Sequence, residues 1–106
     1  MTDEIRIRGL LEEATVDCYG EEEEFAGVLV TLQENLSFPL RATLAGTKVI
    51  VEEIDSQQSS LQRGIVATVK RNEEVYRVSL ADLEFVDPDL ASAEWLAMYR
   101  WWVGTP

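Results

Sequence analysis

The chain contains no histidine and a single cysteine, Cys18. Without imidazole it lacks the usual general base near neutral pH and the commonest protein ligand for zinc or copper. One thiol cannot close an intrachain disulfide, which fits a reducing compartment, so a cytoplasmic location is expected. Cations are scarce too. Against 20 Asp and Glu stand 9 Lys and Arg, a formal net charge of −11. Such an excess repels nucleic acid and anionic membrane surfaces, and it attracts cations or basic partners. No apolar run approaches the ~20 residues of a membrane span. The first residues, Met1-Thr2-Asp3-Glu4-Ile5-Arg6, lack the basic-then-apolar order of a signal peptide.

Catalytic signatures are missing as well: there is no Gly-x-Ser-x-Gly elbow, no phosphate-binding glycine loop and no dinucleotide fingerprint. Cys18 reads as a structural thiol among acids. Paired carboxylates could in principle hydrolyse a glycosidic bond, but a chain this small offers little cleft, and no enzyme activity is expected. What is present is the composition of an ordinary folded protein, 46% hydrophobic, at a length of 106 residues that fits one domain.

Periodicity divides the chain. Asp3 to Thr15 reads as a short helix or a loose arm, with Ile5, Leu10, Leu11 and Ala14 as its apolar side. Phe25, Val28, Leu29, Leu32 and Leu36 then mark one face of a clear helix over Glu21 to Leu36. Gly20 or Asp17 is its expected N-cap, and Ser37-Phe38-Pro39 its stop. From Leu40 to Val86 the period shortens to that of strands: Leu40–Leu44, Lys48–Ile54, Gly64–Lys70 with a bulge at Gly64, Val75–Leu80, and a short strand at Leu83, Phe85 and Val86. Tyr76, Val78 and Leu80 share one face. Turns fall at Ala45-Gly46-Thr47 and Arg71-Asn72-Glu73-Glu74. Asp87-Pro88 is expected to open a last helix, Asp87 as N-cap and Pro88 at the first helical position. Trp95, Met98, Tyr99 and Trp102 form its core stripe, leaving Trp101 as the aromatic nearest to solvent. The class is α+β: N-terminal helices, a five-stranded antiparallel sheet or small SH3-like barrel, and an aromatic C-terminal helix.

The candidate site lies at the head of the clear helix, in Asp17 and Glu21, Glu22, Glu23 and Glu24. Acids there suit the positive end of the helix dipole. With carboxylate and carbonyl oxygens and no imidazole, the chain can build only hard oxygen sites, which suit Ca²⁺ and, less well, Mg²⁺. No EF-hand loop is present. At about 100° per residue, consecutive glutamates point in different directions. Glu21 falls on the side of Phe25, Glu22 and Glu24 flank it, and Glu23 points to solvent. Glu21 and Glu24 could share an ion, and Asp17 could fold back towards them. Glu52, Glu53 and Asp55 form the next acidic cluster. The rival reading is an acidic interaction module that docks a basic protein without metal.

Val16-Asp17-Cys18-Tyr19-Gly20-Glu21-Glu22-Glu23-Glu24, followed by Leu32-Gln33-Glu34-Asn35-Leu36-Ser37-Phe38-Pro39-Leu40, resembles the signature of the CcbP calcium-binding family, first described in cyanobacteria. Gly27, the strand Gly46 to Val51, the run Val78 to Leu83 and the aromatic stretch Trp95 to Trp102 fit the same pattern. The resemblance implies Ca²⁺ binding through clustered surface carboxylates, and a role in buffering or sequestering intracellular Ca²⁺. Asp17, Glu22 and Glu23 match the family's acidic opening most closely.

Overall fold

Ile7, Leu10 and Ala14 lie three and four residues apart, the spacing of one helix face. In the computed structural model, which describes residues 4–104, they are the buried side of α1 (Glu4–Ala14). Ile5 does not join them and is 79% exposed. It stands five residues from Leu10, about 140° round the helix, and Ile7 takes its expected place. Leu11 is half-buried.

Helix α2 (Glu21–Asn35) buries Phe25, Val28 and Leu32, with Leu29 half-buried and Leu36 buried just past its end. It stops as the Phe-Pro pair requires. Leu36 turns extended while its N–H still donates to the Leu32 carbonyl, 3.0 Å away. The Phe38–Pro39 peptide bond is cis. Helix α3 (Leu90–Gly104) buries Trp95, Leu96, Met98 and Tyr99. Its start differs from expectation. Asp87 sits in the left-handed region at φ 46° and caps nothing, and Pro88 lies before the helix. Asp89 is the cap instead: its carboxylate accepts the Ser92 N–H at 3.1 Å and its carbonyl accepts the Ala93 N–H at 2.8 Å.

The three helices form one compact unit, made of the chain up to Leu36 and from Asp89 onward. Phe25 and Tyr99 each approach Trp102 in tilted geometry, with ring centroids 6.3 and 6.2 Å apart. Trp101 is not a free aromatic surface. It is half-buried, and the Arg8 guanidinium lies 5.7 Å from its ring centroid.

Ser37–Pro88 forms the second unit. Its strands are β1 (Leu40–Leu44), β2 (Thr47–Ile54), β3 (Val66–Arg71), β4 (Glu74–Ser79) and β5 (Leu83–Phe85). They make one antiparallel sheet in the order β4-β3-β2-β1-β5. Ala45 and Gly46 both have positive φ, 49° and 83°, as a two-residue hairpin requires, and Asn72 serves the β3–β4 hairpin at φ 57°. Among the described residues no ladder joins β4 to β5, so the sheet is open. Edge position explains why Tyr76 is 44% exposed. Leu80 is buried, but in a 3₁₀ turn (Leu80–Asp82) after the strand.

The bulge falls in β2 and not at Gly64. The register of β2 on β3 slips between Val51 and Glu53. The cause is legible in burial: Val49, Val51 and Ile54 are all buried, and three residues from 51 to 54 break a period of two. An inserted residue restores the inward face. Gly64, at φ 80°, lies in an isolated bridge with Ser60 before β3 begins.

Candidate metal centre

The segment that carries the acids is shaped by two backbone positions. After α1, a turn is closed by the Cys18 N–H donating to the Thr15 carbonyl at 3.0 Å, and Asp17 occupies its left-handed position at φ 59°. Asp and Asn tolerate that conformation better than most residues because their short polar side chains bond locally. Gly20, at φ 94°, is the N-cap of α2 and offers no side chain to its free N–H groups. Asp17 is therefore a turn residue and not the cap. The uncapped helix end is surrounded instead by carboxylates, which its dipole favours by about 0.3–1 kcal/mol each at low salt.

Gly27 sets how close α2 comes to this turn. A Cβ there would lie 2.3 Å from the Ala14 carbonyl oxygen and 3.0 Å from Cys18 Sγ. Only glycine permits the contact, which fixes the half-buried Cys18, and with it the Asp17 turn, against α2.

Asp17, Glu21, Glu22 and Glu23 are exposed and Glu24 is half-buried. Glu21, expected on the side of Phe25, projects beyond the packed part of the helix because it is the first residue. Among the described residues none of these five carboxylates forms an ion pair; the pairs present are Arg6–Glu94, Arg8–Glu4, Arg41–Asp87 and Arg77–Asp55. Five like charges within eight residues are thus left to solvent. Nor do three or more carboxylate or thiol groups gather, among the described residues, into a ready-made cage for a metal ion.

In the sheet unit, the β2 bulge leaves Glu52 and Glu53 both exposed. Asp55 is engaged differently. Its Oδ1 accepts the N–H groups of Gln57 and Gln58 at 3.1 and 3.2 Å, and its Oδ2 accepts Arg77 Nε at 2.6 Å. Both oxygens are occupied in pinning the loop after β2 to β4. The Arg77 hydrogen bond holds the Asp55 carboxyl below the usual carboxylate range; desolvation opposes it, and the Gln58 and Gln57 N–H groups add to it. A lowered folded-state pKa means stabilisation that is full above the unfolded value of 3.8 and lost as pH falls through the folded value. The stability difference between wild type and Asp55→Asn should stay level from neutrality to about pH 4 and shrink below it. Denaturant melts across that range test this, and a difference still undiminished at the acid end counts against the lock.

A sequence model of the CcbP calcium-binding family matches residues 8–103. The chain belongs to that family. Among solved structures, this CcbP-family chain is similar to the crystal structure of Anabaena CcbP, with a TM-score of 0.82 and 24% identity over 97% of this chain and 92% of that one. It is also similar to a calcium-binding protein in its calcium-binding form, with a TM-score of 0.80 and 24% identity over 95% and 90%. At that identity the likeness establishes a shared fold. No curated protein matches the chain significantly. Among the described residues no helix is long and apolar enough to cross a membrane.

Two roles escaped the sequence reading. Gly27 showed only as part of the family pattern, since a helical glycine gives no sign of which backbone it faces. The Asp55 lock depends on Arg77, 22 residues away. The spacing Val49, Val51, Ile54 could have revealed the bulge.

Proposed function

We propose that the chain binds Ca²⁺ at the head of α2 and serves as a calcium buffer or sequestering protein. The observation that carries this is the run of carboxylates, Asp17 and Glu21 to Glu23 exposed and Glu24 half-buried, without a cationic partner among the described residues. Their donor chemistry fits. Ca²⁺ takes six to eight hard oxygens at about 2.3–2.6 Å in flexible geometry and accepts water among them, whereas Mg²⁺ demands a stricter octahedron. Splayed side chains that do not form a closed cage suit the first ion better than the second.

Residue roles follow from position. Glu21 and Glu24, three apart on the helix, are neighbours that can take one ion between them. Asp17 enters from the turn, and Glu22 and Glu23 supply negative potential and outer ligands. The net charge of −11 raises the local cation concentration before any contact is made. Glu52 and Glu53 form a second acidic group, on β2. Asp55 would have to release Arg77 to bind an ion, so it contributes least.

Calorimetric titration of the metal-free chain tests the proposal. Saturable binding of Ca²⁺ is expected. Replacing Glu21 to Glu24 by Gln should abolish it. Asp17→Asn should weaken it while leaving the fold intact, because Asn keeps the left-handed preference that the turn needs. Absence of a binding heat together with absence of a thermal shift at millimolar Ca²⁺ would sink the reading.

A further inference from the structure

One patch on the outer face of the sheet gathers charge of the opposite sign. A cavity of about 600 Å³ opens there, within the range of small-molecule sites. Its lining includes Arg41 from β1, Lys48 from β2, and Lys70 and Arg71 from β3, and no carboxylate. In a chain with 9 basic residues against 20 acidic ones, four cations in one groove is not an even scatter.

Strand register places them. Arg41 stands opposite Ile50, and Ile50 stands opposite Lys70. Arg41 and Lys70 are therefore on one face, two strand spacings or roughly 10 Å apart at the backbone. Lys48 lies two residues from Ile50 on the same face, opposite Thr43. Ile50, 40% exposed, is the apolar floor among three flexible cations. Like charges this close repel one another; the acids nearest to them are Asp87, Glu84 and, two residues along β2 from Ile50, the exposed Glu52. Asp87 is 4.0 Å from Arg41 with both side chains well exposed, and Glu84 is in register with Thr43 on β5. Lys48, Lys70 and Arg71 form no ion pair among the described residues.

The geometry points to a binding site for a small organic polyanion, a molecule with two or more carboxylate or phosphate groups on a short apolar frame. The charged groups would lie between Arg41, Lys48 and Lys70, with Arg71 at the end of the groove. The frame would rest on Ile50. Thr43 adds a hydroxyl to the wall. A nucleic acid or a membrane is a poor occupant, since the remaining surface of a −11 chain repels an extended polyanion while a small one meets only the local field.

The test is an NMR titration of the calcium-free chain with citrate and, separately, with pyrophosphate, against sodium chloride at matched ionic strength. Saturable shifts at Lys48, Ile50 and Lys70 are expected with at least one probe. A preference for citrate marks a polycarboxylate ligand, and a preference for pyrophosphate marks a phosphate one. The double variant Lys48→Gln/Lys70→Gln changes only exposed side chains, so it should melt like wild type and bind about tenfold or more weakly, as loss of charge-assisted bonds implies. Shifts reproduced by chloride, or binding unchanged in the variant, overturn the proposal. So does a groove that responds to protein concentration and is silenced by Glu21 to Glu24→Gln, because a second copy's acidic helix head would then be the occupant.

Discussion

Gly27→Ala is expected to lower the melting temperature, although alanine in a helix interior is normally favoured over glycine by about 1 kcal/mol. The added methyl group would meet the Ala14 carbonyl oxygen at 2.3 Å. That oxygen is backbone and cannot rotate aside, so α2 must move away from the turn. Overpacking costs typically about 1–3 kcal/mol, and an approach this close to backbone belongs at the upper end, which leaves a net loss of about 1–2 kcal/mol after the propensity gain. At ~4–8 °C per kcal/mol for a domain near this size, a fall of roughly 4–15 °C follows. Gly9→Ala is the internal control. It is the same substitution in α1, but a Cβ there meets nothing within 4 Å, so its melting temperature should hold or rise. Equal melting of the two variants would dismiss the close contact as the reason for glycine. Because the shift would also separate the Asp17 turn from the head of α2, Gly27→Ala should bind Ca²⁺ more weakly than wild type even when fully folded.

Calcium should stabilise the folded chain by a larger amount. A ligand that binds only the native state contributes about 2.7 kcal/mol when its free concentration is 100 times the dissociation constant. For a chain of this size that is a rise on the order of 10–20 °C. Screening alone would raise stability somewhat, since salt weakens repulsion among exposed charges. Scans in CaCl₂, MgCl₂ and NaCl at matched ionic strength therefore separate binding from screening. The expected order is calcium above magnesium above sodium. Replacing Glu21 to Glu24 by Gln should remove the calcium response, while the lost like-charge repulsion and the lost attraction to the helix dipole shift the calcium-free melting temperature in opposite directions. A variant that keeps the full calcium response would remove these residues from the site.

Much of this fold was readable from the residues because local rules agreed with it. The stripe of Phe25, Val28 and Leu32, the Phe-Pro stop, the Ala45-Gly46 and Asn72-Glu73 hairpins and the five strands each follow from spacing or backbone preference. Failures came where two local answers competed. Asp87 and Asp89 flank the same proline, and only the backbone conformation at Asp87 decides between them. At α1 an alternating Ile-Arg pattern hides which isoleucine shares a face with Leu10. At the candidate site, the residue types were visible but their pairing was not. Nothing in the neighbourhood of Asp55 distinguishes it from Glu52 and Glu53. Yet its carboxylate is tied to Arg77 while theirs are exposed.

The helical unit is assembled from the two ends of the described chain, with Ser37–Pro88 continuous between them. During synthesis the order of completion therefore differs from the order of appearance. Helices α1 and α2 emerge before the sheet, yet the partner aromatic for Phe25, Trp102, is made after it. The sheet is complete as soon as Phe85 has emerged, and most of its pairings join neighbouring strands, a topology that closes quickly. On the ribosome the sheet should thus mature before the helices that precede it. The α1–α2 hairpin, held by Gly27 against the Cys18 turn, would wait in the meantime with its acidic head already formed and an apolar side still uncovered.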